Sequence, residues 1–139
     1  MESMLVWIKM VFGAIAGLAS YVFGGLDMLL MALLICIAID YVTGVLAAIY
    51  EKRLNSETGF RGILKKVVIL LVVALAYTVG HVVGLDSVRD FVIGFYIANE
   101  GISILENAGR MNVPVARGFA KVLEQLKEKM DDGDPGDKE

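Results

Sequence analysis

Long apolar runs alternate with short polar connections along most of the chain. Four runs have the length of a membrane-crossing helix, and they cover residues 4–25, 28–50, 67–84 and 88–106. An α-helix rises ~1.5 Å per residue, so about 20 apolar residues cross the ~30 Å hydrocarbon layer of a bilayer. The pattern therefore predicts an all-α, polytopic membrane protein whose three or four transmembrane helices lie within residues 1–110.

The four runs differ in strength. The run at 28–50 carries a single formal charge, Asp40, and must span the membrane. The run at 4–25 is the weakest, because its glycines add little transfer free energy and Lys9 has to reach the headgroups. This first segment either crosses the membrane or lies at its interface, which leaves three and four spans both open.

The connection at residues 51–66 is strongly basic, whereas the connections at 24–27 and 85–90 hold only Arg89. Short loops rich in Lys and Arg stay on the cytoplasmic side of a bacterial membrane. This basic loop is therefore predicted to be cytoplasmic, and the basic residues after the last run place the C-terminus on the same side. The cations of the loop are Lys52, Arg53, Arg61, Lys65 and Lys66.

The chain changes character after the last run. Apolar residues recur there at three- and four-residue steps, which predicts an amphipathic helix within residues 111–130. Its apolar stripe could pack on a copy of itself, on the basic loop or into the inner leaflet, or it could simply close the fold. The stripe consists of Val115, Phe119, Val122, Leu126 and Met130, with Leu123 beside them. Residues 131–139 are acidic and contain Gly and Pro, so a disordered tail is expected.

Composition agrees with a membrane protein and argues against several other classes of protein. The chain is 57% hydrophobic with a mean hydropathy of +0.67, against roughly 45–50% apolar residues in soluble domains, so a soluble helical bundle is nearly excluded. The net charge of −3 offers no basic field for nucleic acid. One cysteine and one histidine are too few for a Cys/His metal site. We therefore expect no cofactor, no metal and no nucleic-acid partner.

Polar side chains inside the apolar runs are the candidate functional residues. A carboxylate near the bilayer centre costs ~2.5–3.5 kcal/mol, so it should be protonated, paired or facing water. Small and polar residues share the helix face of Asp40. A second polar stripe runs along one side of the last apolar run. The predicted pore-facing or helix-packing set is Asp40, Thr43, Gly44, Asn99, Glu100, Ser103, Glu106 and Asn107.

Two interpretations of this set stay open. Hydrogen bonds between side chains in membranes are worth only ~0.6 kcal/mol on average, which favours a water-lined or subunit-facing surface over stabilisation of a monomer. Alternatively, Asp40 makes one structural hydrogen bond inside a stable bundle, and Glu106 and Asn107 already lie among the headgroups. No Ser or Cys nucleophile stands beside a base, so no catalytic residue is predicted and an enzyme is not expected.

Three blocks of sequence resemble the toxin-secretion/phage-lysis holin family. They are residues 39–48 (IDYVTGVLAA), 54–66 (LNSETGFRGILKK) and 98–107 (ANEGISILEN), and they occur in the family's order within residues 28–128. The resemblance implies a small multi-pass protein of the bacterial cytoplasmic membrane that oligomerises and opens lesions. An endolysin or a large toxin then crosses the membrane. The partners implied are the lipid bilayer, further copies of the chain and that exported protein.

A non-lytic membrane protein is the alternative. It would be a small ion or proton channel, or an assembly factor that uses the amphipathic helix as a docking site. Composition and spacing predict a small, oligomer-prone helical membrane protein, whereas lesion formation is implied by the resemblance alone. Selective conductance would indicate a channel, and release of folded protein would indicate a holin.

Overall fold

A computed structural model describes residues 1–115 and 117–132 of the protein. Over these residues the chain is all-helical and contains no strand. Its helices are α1 (Glu2–Phe23), α2 (Met28–Tyr50), α3 (Ser56–Val83), α4 (Ser87–Arg110) and α5 (Arg117–Asp131). Three of them, α1, α2 and α3, are long and apolar enough to cross a membrane. The predicted all-α membrane fold with three or four spans is thus confirmed.

The central helix of the bundle is α4, which packs on α2, α3 and α5. α2 and α4 run parallel and side by side along their whole length. Arg89 near the start of α4 pairs with Asp27, which precedes α2, and Arg110 at the end of α4 pairs with Glu51, which follows α2. α3 returns in the opposite direction, and α1 packs on α3.

The apolar core lies in the half of the bundle that contains the start of α2. Leu30, Leu33, Val73 and Ile93 are buried there and come from three helices. On the outside, α1, α2 and α3 expose many large apolar side chains along their lengths. Apolar surface of this extent indicates contact with lipid, whereas Asp40 of α2 and Glu100 of α4 are buried inside the bundle.

Specific residues end α1 and start α2 at the turn between them. The Asp27 carboxylate accepts a hydrogen bond of 3.0 Å from the Leu30 backbone N–H and so caps α2. Gly24 ends α1 in the left-handed conformation with φ +77°, and a Cβ there would lie 2.5 Å from the Tyr77 ring. Only glycine fits this position, which brings the end of α1 against α3.

Two element boundaries differ from the sequence-based expectation. The segment 51–66, predicted to be a basic loop, is helical from Ser56 onward, because the Asn55 side chain accepts a hydrogen bond of 2.9 Å from the Glu57 N–H and starts α3. The connection between α2 and α3 is therefore only residues 51–55. The amphipathic helix predicted at 111–130 begins at Arg117.

The ranking of the first and fourth apolar runs as membrane spans also differs from the expectation. Residues 4–25, expected to be the weakest span, form α1, which is apolar enough to cross a membrane. α4 is not among the helices that qualify by composition, because Arg89, Asp90, Glu100 and Glu106 interrupt it. Of the predicted acidic tail, Asp131 ends α5, and residues 133–139 lie outside the described residues.

Candidate functional site

A single lysine joins the two acidic residues buried inside the bundle. Lys66 of α3 donates hydrogen bonds to Asp40 of α2 and to Glu100 of α4, so three helices contribute one residue each. The side chains of Lys66, Asp40 and Glu100 are only 17%, 9% and 2% exposed. We call these three residues the Lys66 cluster. With all groups ionised, two carboxylates around one ammonium leave one net negative charge inside the protein.

Asn107 connects this cluster to the end of the bundle. Its amide nitrogen lies 3.1 Å from Asp40 Oδ1 and 3.1 Å from Thr43 Oγ1. The Thr43 hydroxyl donates to the Ile39 carbonyl at 2.8 Å, as is common for Thr within a helix. Arg110 Nη1 donates to Asn107 Oδ1 at 3.3 Å. Hydrogen-bonded side chains thus lead from Glu100 to the helix ends beside the basic connection.

Arg110 closes this line with an exposed ion pair to Glu51, whose Nη2–Oε2 distance is 2.7 Å. The Arg110 guanidinium lowers the pKa of Glu51 by donating a hydrogen bond to its carboxylate. The pair ties the end of α4 to the end of α2 but, being exposed, contributes little to stability.

An open cavity of about 420 Å³ lies beside the Lys66 cluster. α2, α3, α4 and the connection at 51–55 all contribute to its lining. Carboxylates of the cluster share this lining with the cations Arg53, Lys65 and Arg110. The cavity therefore presents both signs of charge and several amide and hydroxyl groups. Among the described residues, no group of His, Cys, Asp and Glu has the arrangement of a metal site.

The structure brings most of the predicted polar set together. Thr43 Oγ1 accepts a hydrogen bond from the Asn107 amide, whereas Glu106 is exposed. The predicted residues that line the cavity are Asp40, Gly44, Asn99, Glu100, Ser103 and Asn107.

The basic residues predicted for the cytoplasmic loop divide into two groups. Lys52, Arg53, Arg61 and Lys65 are exposed at one end of the bundle, and Arg61 pairs with Glu57 at 2.7 Å. Lys66 instead points inward. Lys66 of the same chain thus supplies an ion-pair partner for both Asp40 and Glu100.

Sequence reasoning missed the role of Lys66, although a signal for it exists. The buried residues of α3 are Ile69, Val73, Ala76 and Gly80, at steps of three and four. One further step of three toward the N-terminus reaches Lys66, so the inward face of α3 includes it. Lys66 was instead counted among the cations of a loop that was expected to lie outside the membrane.

Arg89 holds the opposite end of the bundle and was also missed. It is 6% exposed, and its guanidinium donates to both carboxylate oxygens of Asp27 at 2.7 and 3.0 Å and to Asp90 at 2.8 Å. It also donates to the backbone carbonyls of Phe23 and Gly25. Hydrogen bonds from Arg89, followed by that from the Leu30 N–H, lower the pKa of Asp27 from 3.8 to about 2.

Comparison with known proteins assigns the chain to a family. The model of the bacteriophage holin family matches residues 17–128, which include α2, α3 and α4. The chain belongs to the bacteriophage holin family. Membership confirms the resemblance found in the sequence. It also confirms that the chain is a membrane protein and not an enzyme.

Relatives occur in bacteria and in a phage. Uncharacterized protein Lmo0128 of Listeria monocytogenes is 48% identical over 105 residues, which cover 75% of this chain and 73% of the relative. Uncharacterized protein CPE0383 of Clostridium perfringens is 38% identical over 131 residues, covering 93% and 97%. A protein of Bacillus phage phi105 named a probable holin is 37% identical over 97 residues, covering 69% and 71%. No solved structure matches the chain.

Proposed function

We propose that this holin-family protein oligomerises in the bacterial cytoplasmic membrane and opens lesions through which an endolysin or a large toxin crosses. The observation that carries the proposal is α4, a helix that buries Glu100 and Asn107 against the apolar helices α2 and α3. A lesion wide enough for a protein needs polar walls. In this chain, α4 is the membrane-length helix that carries such residues, and α5 packs on it.

We infer that α4 crosses the membrane together with α2. Its 24 residues span about 36 Å at ~1.5 Å per residue, and ion pairs tie both of its ends to the ends of α2. Pairing with Lys66 removes the cost of exposing the Glu100 carboxylate to lipid. The inference corresponds to the four-span form of the sequence-based prediction.

The distribution of cations supports a cytoplasmic location for the basic end of the bundle. Lys52, Arg53, Arg61 and Lys65 are exposed there, and each surface cation near anionic lipid contributes about 1 kcal/mol to the attraction. With four spans, the N-terminus and the C-terminal end of α4 lie on this same cytoplasmic side.

α1 supports assembly of several copies. None of its residues is buried, and its contact with α3 includes the approach of Gly24 to Tyr77 at its C-terminal end. No atom lies within 4 Å of the positions where Cβ atoms of Gly13 and Gly17 would be. Small residues at this spacing let two helices approach closely in lipid, so we expect α1 to pair with a helix of another copy.

Inducible expression in a bacterium tests the proposal. Cells that carry a folded cytoplasmic reporter enzyme should stop growing and release the reporter after induction. Co-expression with an endolysin or with a large toxin then identifies the exported protein. Cells that keep growing and retain the reporter, although their membranes contain the protein, would contradict the proposal.

A small ion or proton channel is the second candidate function, and the charged cavity beside the Lys66 cluster favours it. A channel would give discrete, ion-selective conductance in planar bilayers. It would also leave folded proteins inside the cell.

A further inference from the structure

The C-terminal helix folds back along α4 instead of extending away from the bundle. Leu123 of α5 lies on Gly101, where a Cβ would be 3.0 Å from Leu123 Cδ1. Met130 lies on Gly94, where a Cβ would be 2.6 Å from Met130 Cε. The two glycines thus form a shallow face on α4 that receives α5, and the two helices run antiparallel.

This contact places α5 beside the membrane-crossing part of the bundle. At ~1.5 Å per residue, Gly101 and Gly94 lie about 14 and about 24 Å along α4 from Arg110, where α4 ends. Because α4 runs beside the apolar helix α2 throughout, those positions correspond to hydrocarbon depth. α5 therefore does not lie flat on the cytoplasmic surface in this arrangement.

The side of α5 that faces away from α4 is charged. Lys121, Glu124, Gln125 and Glu128 are exposed there, and no ion pair joins residues of α5 to any other described residue. Charged side chains at hydrocarbon depth cannot face lipid without a large cost, so this side of α5 requires water.

We propose that α5 forms the water-facing wall of the assembled lesion. The glycine face of α4 holds α5 through Leu123 and Met130, while Lys121, Glu124 and Glu128 face an aqueous lumen shared with other copies of the chain. This inference rests on the proposed lesion-forming function and names the surface that lines the lesion. The exposed apolar residues Phe119 and Val122 lie at the edge between the two faces, where a neighbouring copy packs.

A disulfide between α4 and α5 tests the inference. Gly101→Cys and Leu123→Cys are introduced together into a Cys36→Ala background, which removes the native thiol, and truncation of Leu123 makes room for the new side chain. The purified protein is reconstituted into liposomes that contain a fluorescent protein. We expect the oxidised and reduced forms to release the marker to the same extent, since α5 stays on α4 in the lesion.

Other outcomes of this experiment contradict the inference. If the disulfide fails to form, α5 is not held on α4 as inferred. If oxidation blocks release and reduction restores it, α5 has to leave α4 and does not line the lesion. The Cys36→Ala parent separates the two proposals. A parent that releases no marker would contradict the lesion-forming function itself, whereas a defect confined to the oxidised double variant would contradict only the role of α5.

A second pair of variants does not depend on cross-linking. Lys121→Leu with Glu124→Leu makes the proposed wall apolar, and we expect release to fall by about tenfold or more while membrane insertion is retained. Glu57→Leu with Arg61→Leu removes one anion and one cation from the exposed start of α3 and serves as the matched control. Equal release by the two variants would overturn the proposed wall.

Discussion

At the scale of single residues, the protein is organised around buried charges that are paired within the chain. Lys66 lies between Asp40 and Glu100, and Arg89 bonds Asp27 at the other end of the bundle. A buried ion pair adds little to stability compared with apolar residues, but loss of one partner is expensive because the other charge stays buried. The same physics makes these residues sensitive positions for mutation.

Replacement of Lys66 by methionine should destabilise the protein strongly. Two carboxylates would remain in the bundle without a cation, and we expect a loss of about 3–5 kcal/mol in the free energy of unfolding. Denaturant unfolding in detergent micelles measures this loss. The neighbouring exposed residue provides the control, since Lys65→Met should change the free energy by no more than about 0.5 kcal/mol.

Neutralisation of the whole cluster should restore much of that loss. In the triple variant Asp40→Asn, Lys66→Met, Glu100→Gln no buried charge lacks a partner, so its stability should lie close to that of the wild type. If Lys66→Met alone were as stable as Lys65→Met, the lysine would not hold the two acids.

The Asp27–Arg89 pair predicts a specific dependence on pH. The pKa of Asp27 is lowered from 3.8 to about 2 in the folded protein, so its stabilising contribution is complete above pH 3.8 and is lost as the pH falls through about 2. Carbon-13 NMR of the carboxyl group in micelles should show Asp27 titrating near pH 2 and, in an Arg89→Gln variant, closer to 3.8. Wild-type titration near 3.8 would contradict the hydrogen bonds assigned to Arg89.

Sequence reasoning found the acids but not their partners. A carboxylate in an apolar run stands out by itself, because its insertion cost demands an explanation, and Asp40 and Glu100 could be selected on that ground. Lys66 and Arg89 lie near the ends of apolar runs, where cations are ordinary and carry an orientation signal. Their inward direction depends on how α2, α3 and α4 are rotated against each other, which no single helix specifies.

At the scale of elements, the central fact is that a polar helix is enclosed by apolar ones. α4 is tied to α2 at both ends and receives α5 on its glycine face. The helical segments could be predicted from apolar length and periodicity. The start of α3 at Ser56 could not, because charged residues in a helix resemble a loop when only hydropathy is considered. The site occupied by α5 also remained open, since an amphipathic stripe specifies a buried face but not its partner.

Bulk on the glycine face of α4 should displace α5. Gly101→Leu would bring a side chain into Leu123, whereas Gly109→Leu, in the same helix, has nothing within 4 Å of its Cβ position. We expect trypsin to cleave α5 at Lys121 and Lys127 much faster in the Gly101 variant than in the Gly109 variant. Equal cleavage rates would mean that α5 does not depend on this contact.

The four-span arrangement of α1 to α4 predicts a cytoplasmic N-terminus. In a Cys36→Ala background, an engineered Ser3→Cys should resist a membrane-impermeant thiol reagent added to intact cells that have not yet lysed. The same residue should react after the cells are permeabilised. Labelling of intact cells from outside would contradict four spans and place the N-terminal segment outside.

At the scale of the whole molecule, the chain reverses the arrangement of a soluble protein. Apolar side chains cover the outer faces of α1, α2 and α3, and charged side chains occupy the interior beside an open cavity. The outer faces of these three helices are therefore suited to lipid, whereas the charged side of α5 requires water. We infer that many protomers together open a passage wide enough for a folded protein.

Release of two markers of different size from the same liposomes tests this claim most directly. Liposomes are loaded with a small dye and a folded fluorescent protein, and the purified chain is reconstituted at increasing protein-to-lipid ratios. We predict that both markers leave together once a threshold density is passed. Release of the dye while the protein stays inside at every density, or retention of both, would contradict the account.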